Sequence, residues 1–296
     1  MQRAGHAQLK ACCITLLSQH FPKGVSSPAL PNLPGTGCLM PDLEHMLLLF
    51  AAGLVGGAAN ALAGGGTFFT FPALLESGLS PISANATSTF SLWGGRVAAV
   101  APQWRAIDVR QRSVRVRILT ALAGGATGAL LLLATGERAF MFIVPWLLLF
   151  ATLLFIFSRR VGGWLRRHLG GGLHGGLQRL LEFAAAVYGG YFGAGLGVIL
   201  ISIYAVFTDI TPNMANALKN VVTALLLTIA VIIFILFGRI AWLAAFITLA
   251  GAVPGGWLGG WLSMRVNPQA MRGIIGVAAV LLTAWYFIKV YWLGNA

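Results

Sequence analysis

Lys219 is the side chain whose placement most needs explaining. It follows Thr211-Pro212-Asn213-Met214-Ala215-Asn216-Ala217-Leu218 and precedes Asn220–Gly238, a run without charge. Thr before Pro reads as an N-cap with proline at the first helical position. Lys219 then lies roughly 12 Å inside the helix at the usual rise per residue. Asn216, three residues earlier, shares nearly the same face. An ionisable group in a membrane span costs at least about 2.5 to 3.5 kcal/mol, and such residues are by default functional. The chemistry open to it is electrostatic capture or gating of an anion. The competing readings are a snorkelling lysine, or a structural pair with Glu76 or Asp209. Arg96 is a second candidate cation.

The same pattern occurs earlier as Ser80-Pro81-Ile82-Ser83-Ala84-Asn85-Ala86. Asn85 and Asn216 each fall about five residues into a predicted helix, beyond the capping position. They either hydrogen-bond another helix or a broken backbone, or line a polar site. The position matching Lys219 is Ser88, so a site here is asymmetric. Two glycine clusters precede these segments: Gly64-Gly65-Gly66, and Gly193, Gly195 and Gly197. Each glycine weakens a helix by roughly 1 kcal/mol against alanine. Glycine in membrane helices also serves close packing, normally at four-residue spacing. Contiguous or alternating glycines favour a backbone break. The N–H groups freed at a break carry positive partial charge and attract anions.

These matches belong to one register. At an offset of 131 residues, Gly64 and Gly66 align with Gly195 and Gly197, and Pro81 with Pro212. Ala84-Asn85-Ala86 aligns with Ala215-Asn216-Ala217, and Gly124, Gly125 and Gly128 with Gly255, Gly256 and Gly259. The chain reads as a duplication: residues 42–158 and 180–296, joined by a basic linker at 159–179. Each half is a long helix, a glycine break, a short helix and three further helices. The short segments should end near Leu79 and Thr208.

The elements must be membrane spans. The chain is 58% hydrophobic and 9% charged over 296 residues, against about 25% charged in soluble domains. Its mean hydropathy is +0.83. Seven runs lack charge: Met46–Leu75, Ser77–Gly95, Ile118–Gly136, Ala139–Ser158, Phe183–Thr208, Asn220–Gly238 and Ile240–Met264. A spanning helix needs about 17 to 25 such residues. The expected fold is an all-α polytopic membrane protein with about 8 to 10 membrane segments. If each half crosses five times, the halves are inverted; if the broken pair crosses once, they are parallel. The basic residues favour inversion by one charge, since it leaves Arg265 and Arg272 in the cytoplasm and Arg239 outside.

The net charge of +13 does not indicate nucleic acid. Arg105, Arg110, Arg112, Arg115 and Arg117 fill one loop, and Arg159, Arg160, Arg166, Arg167 and Arg179 another. Basic loops between apolar runs mark the cytoplasmic side, and no aromatic-and-basic platform accompanies them. Cys12, Cys13 and Cys38 all precede the first apolar run, without a metal-ligand spacing to histidine. No metal and no cofactor is expected. Residues 1–41 hold five prolines, Pro22, Pro28, Pro31, Pro34 and Pro41. They read as a disordered or variable extension, or as upstream of a true start at Met40. The sequence contains neither His-Glu-x-x-His nor Gly-x-Ser-x-Gly, and the glycines near Gly195 do not fit a dinucleotide fingerprint. The chain is not expected to be an enzyme.

The stretch Gly53-Leu-Val-Gly-Gly-Ala-Ala-Asn60-Ala-Leu-Ala-Gly-Gly-Gly66, with Pro72 and Ala-Asn85-Ala-Thr87-Ser88, resembles the opening motif of the TauE/SafE family of sulfite exporters. Tyr188-Gly-Gly-Tyr-Phe-Gly-Ala-Gly-Leu-Gly197 with Ala-Asn216-Ala-Leu-Lys219-Asn220 is similar to its second motif. The likeness covers about residues 45–290. Arg239 departs from it, since family members often carry a neutral or acidic residue there. The resemblance implies export of sulfite or a related sulfur-containing anion across the inner membrane. It adds Asn60, Thr87 and Asn220 to Asn85, Ser88, Asn216 and Lys219 as the expected substrate-binding set. The expected partners are a small anion and the lipid bilayer, and a homo-oligomer stays open. Alternatives are an importer or channel for another small anion, or a non-transporting membrane subunit.

Overall fold

Proline and glycine punctuate this chain, and the helices begin and end where they stand. The computed structural model describes residues 43–100, 110–169, 175–208, 210–263 and 268–292. The expectations for residues 1–41, Met40 included, and for Arg105, Asp209 and Arg265 lie outside them. The described residues form ten α-helices. In chain order these are α1 (Leu43–Ala63), α2 (Thr67–Glu76), α3 (Pro81–Val100), α4 (Arg112–Ala134) and α5 (Glu137–Leu169). Then come α6 (Gly175–Tyr191), α7 (Leu196–Phe207), α8 (Pro212–Leu236), α9 (Trp242–Ser263) and α10 (Pro268–Phe287). A π-helical turn, Ile288–Trp292, extends α10.

The element boundaries keep the sequence register. Pro81 and Pro212 open α3 and α8, and Glu137 and Pro268 open α5 and α10, each pair 131 residues apart. One boundary departs from expectation. Helix α5 continues to Leu169, so most of the stretch read as a linker is helical. Gly162 and Gly163 each cost about 1 kcal/mol in a helix; neither forces the chain out of one, as proline would.

Six helices are long and apolar enough to cross a membrane: those containing Leu43–Ala61, Arg112–Ala134, Glu137–Phe157, Met214–Leu236, Trp242–Gly259 and Gly273–Trp292. Their outward faces carry large apolar side chains, with Leu236 77%, Trp257 71% and Trp292 88% exposed. This is a multi-pass membrane protein, and those faces meet lipid.

Helices α2 and α7 are different. Their 10 and 12 residues span about 15 and 18 Å, well short of a hydrocarbon core of about 30 Å. Both fold back on the helix before them. A methyl group at Gly56 would lie 2.7 Å from Cγ2 of Thr70, whereas in one continuous helix those residues would stand about 21 Å apart. Gly64 makes the first reversal at φ 78° and its counterpart Gly195 the second at φ 72°. A side chain is strained at such angles, and glycine is not. The breaks are therefore hairpins.

The halves interlock through small residues. Helix α1 packs along α9, and α4 along α6. A methyl at Gly255 would stand 2.0 Å from the Leu54 carbonyl oxygen, and one at Gly128 2.0 Å from that of Val187. Both helix pairs are parallel: Phe50, Leu54 and Ala58 meet Gly251, Gly255 and Gly259 in turn. Helix α3 packs on α8, and α5 on α10. In the last pair, Thr152 and Thr283 share a 3.0 Å hydrogen bond while 131 residues apart. An aromatic cluster of Phe71, Phe140, Phe192 and Tyr286 fills the core beside the hairpins, with ring centroids 5.7–6.4 Å apart.

Candidate functional site

The two hairpin turns meet at the centre. A methyl at Gly64 would lie 3.7 Å from the Cα of Gly197, which is in the first turn of α7. The N-termini of α2 and α7 thus converge, each with helix-start N–H groups that lack an intrahelical partner and a positive partial charge. No side-chain cap is present at either end.

Two cations close on this point from opposite halves. Lys219 of α8 lays its Cδ about 3.7 Å from where a methyl at Gly197 would stand. Its Nζ donates to Asn216 Oδ1 at 2.8 Å, which leaves two of three ammonium protons uncommitted to that bond. Arg96 of α3 donates from Nη2 to Asn60 Oδ1 at 2.5 Å, and its Nε is buried without a partner. Asn60 also accepts the Gly64 N–H on its backbone carbonyl at 3.0 Å, so the Arg96 bond is made beside the first turn.

Among the described residues, three carboxylates are engaged elsewhere. Glu76 pairs with Lys289 at 2.5 Å, Glu137 with Arg239 at 3.6 Å and Glu182 with Arg117 at 3.5 Å. Glu44 lies exposed in the first turn of α1. Among the described residues, Lys219 and Arg96 form no salt bridge. Two positive charges at one junction with no counter-ion among the described residues are unfavourable in a low-dielectric interior. The arrangement is relieved by an anion between them.

The expected set divides into two groups. Asn60, Arg96, Asn216 and Lys219 come together with Gly64 and Gly197. Asn85, Thr87 and Ser88 are fully buried and engaged in packing. Asn85 Nδ2 donates to the Tyr191 carbonyl at 2.9 Å, so it ties α3 to the chain just before the second break. Thr87 Oγ1 accepts the Ala241 N–H at 3.1 Å, and Ser88 shares a 2.6 Å bond with Thr70. Asn85 Oδ1 has no hydrogen-bond partner. Asn220 is half-buried on α8. The two matched asparagines thus differ, Asn85 being enclosed and Asn216 exposed.

Three details correct the sequence reading. Ser80 does not cap α3 with its hydroxyl. It donates to Glu137 Oε1 at 3.0 Å, while Glu137 Oε2 accepts the Ile82 N–H at 2.8 Å, so a carboxylate does the capping. Thr211 caps α8 as expected, accepting from Met214 N at 3.4 Å. Glu76, named as a possible partner of Lys219, has a half-exposed side chain and pairs with Lys289 instead. Among the described residues the enclosed acid is Glu182, at 4% exposure, held by Arg117 and by Gln178 Nε2 at 2.8 Å. Its partner is 65 residues away in the chain, and no local pattern announces it.

Comparison with known proteins follows the same boundaries. The sequence profile of the family described as sulfite exporter TauE/SafE matches residues 49–286. A probable membrane transporter protein of Haemophilus influenzae is 28% identical over 242 residues, covering 82% of this chain and 94% of that one. The probable membrane transporter protein YfcA of Escherichia coli K12 is 25% identical over 237 residues, covering 80% and 87%. The probable membrane transporter protein ORF9 of a Sinorhizobium species is 23% identical over 253 residues. No solved structure matches the chain.

Proposed function

Since the chain belongs to the TauE/SafE sulfite exporter family, we propose that this membrane transporter is a secondary carrier exporting sulfite or a related small sulfur-containing anion across the inner membrane. One observation carries the reading. Lys219 reaches Gly197, and Arg96 reaches Asn60 beside Gly64, where the two hairpin N-termini meet, with no carboxylate partner among the described residues. An oxyanion there accepts from the ammonium, the guanidinium and backbone N–H groups together, all charge-assisted or dipole-assisted donors. A cation site would need the opposite balance.

The reading includes inverted halves that rock about this site. Its support is geometric. Arg239, just before α9, pairs with Glu137, just after α4, so α9 starts where α4 ends. Helix α1 runs parallel to α9 and α6 parallel to α4. Helices α1 and α6 therefore run in opposite senses, as inverted-repeat transporters require. With the basic starts of α4 and α6 in the cytoplasm, an inside-negative potential favours anion exit by about 2.3 kcal/mol per charge per 100 mV.

The test is anion flux in proteoliposomes with sulfite, sulfate, thiosulfate and sulfoacetate compared. Sulfite or one close relative should move and show counterflow. Lys219→Ala should abolish that flux while eluting as a monodisperse, folded protein. Wild-type flux from Lys219→Ala would sink the site, and the absence of counterflow would point to a channel.

A further inference from the structure

A hollow of about 420 Å³ lies between the N-terminal ends of α4 and α6, away from the central cluster. Arg112, Ser113 and Arg117 line it from α4, and Gln178, Arg179 and Glu182 from α6. Neither helix carries an acidic residue in its first turn. Arginines thus stand at two helix ends that are already positive, the opposite of the favourable placement. Glu182 balances one charge. Arg117 stacks its guanidinium 5.2 Å from the Tyr204 ring centroid, and its Nη1 is buried without a hydrogen bond. Arg112 and Arg179 are exposed at the rim.

The molecule contains its own control. Because α4 packs on α6 as α9 packs on α1, each lining position has a counterpart 131 residues away in the other half. Those counterparts are Leu243, Ala244 and Thr248 on α9, and Leu47, Leu48 and Ala51 on α1. The same helix pairing is achieved there with apolar side chains and one threonine. Packing therefore does not require the arginines, the glutamine or the glutamate. Orienting the protein needs basic charge near this end, but not a buried Glu–Gln pair or a concave basic lining.

We propose that this hollow binds the phosphate headgroup of an anionic phospholipid from the adjoining leaflet, cytoplasmic in the orientation above. The surroundings select a lipid over a free anion. Directly beside these lining residues, within one turn on each helix, the surface becomes apolar and outward-facing, with Leu119 65%, Leu180 62% and Phe183 36% exposed. A phosphodiester seated between Arg112 and Arg179 would lay its acyl chains along those residues. Basic pockets between membrane helices on the cytoplasmic side recognise anionic headgroups in this way, and guanidinium forks suit phosphate oxygens.

The experiment is native mass spectrometry of the full-length protein from nanodiscs containing equal phosphatidylglycerol and phosphatidylcholine. Wild type should retain phosphatidylglycerol preferentially. The double variant Arg112→Gln/Arg179→Gln should lose that preference by at least tenfold. The variant Arg110→Gln/Arg115→Gln, which removes equal charge from the same region outside the hollow, should keep it. Equal loss in both variants, or no preference in wild type, would overturn the proposal. So would release of the bound lipid by millimolar inorganic phosphate or sulfite, which would make the hollow a free-anion vestibule.

Discussion

Replacing Asn60 by aspartate changes one atom and one charge at the proposed site. The Asn60 Oδ1 already accepts from Arg96 Nη2 at 2.5 Å, so Asn60→Asp creates an ion pair without moving a side chain. An anion seated between Arg96 and Lys219 would stand roughly 6 Å from the new carboxylate. At an effective dielectric of about 20, two like charges at that separation repel by roughly 3 kcal/mol. Each 1.4 kcal/mol is a factor of about ten, so anion affinity should fall by about two orders of magnitude. The assay is the KM for sulfite efflux from proteoliposomes, with binding to detergent-solubilised protein as a second readout. Asn60→Leu is the control. It removes the acceptor but adds no charge, so it should weaken affinity far less. Thermal unfolding checks that Asn60→Asp stays folded, and the new ion pair should make it no less stable than Asn60→Leu. Wild-type KM in a well-folded Asn60→Asp protein would refute the claim that Arg96 works with Lys219 on one anion.

Further outcomes follow from the packing. Gly255→Leu should destabilise the α1–α9 seam by about 1 to 3 kcal/mol or more, as overpacking does, and lower the detergent melting temperature. Gly136→Leu, where a methyl meets nothing within 4 Å, should shift it little. Thr152→Val and Thr283→Val should be non-additive, because either one breaks the same bond, worth about 0.5 to 1.5 kcal/mol; additive melting shifts in the double variant would contradict the contact. Glu137→Ala should cost about 1 kcal/mol through the lost α3 cap; an unchanged melting temperature would refute that role. A reporter fused to the C-terminus should be active in the periplasm, and a cytoplasmic signal would exclude inverted halves.

The sequence carried the element starts and the site cations, and the reasons are local. Pro81 and Pro212 can open a helix but rarely continue one, so the starts of α3 and α8 were legible. Lys219 was legible because an ammonium in an apolar run has few structural explanations. What followed the glycine breaks was not. Three glycines permit either a continued or a reversed chain, and Thr70 against Gly56 decides it through a tertiary contact. The partner of Arg96 was equally hidden, since Asn60 lies 36 residues away. The different surroundings of Asn85 and Asn216 were hidden for a related reason. Matching positions in two halves share a fold but not a neighbour: Asn85 meets the Tyr191 carbonyl, and Asn216 meets a lysine where Asn85 has Ser88.

The bond between Thr152 and Thr283 has a historical consequence. A polypeptide of half this length would place one threonine against its own copy, so the contact needs no second partner residue to evolve. With the halves inverted as proposed above, such a half-chain would have to insert both ways up in equal numbers for two copies to meet. That requirement forbids a strong bias of arginines at either end. Fusion of the two copies removes it, because each half then has a fixed orientation. The arginine-lined hollow between α4 and α6 and its leucine-lined counterpart between α9 and α1 are differences that only a fused chain could accumulate.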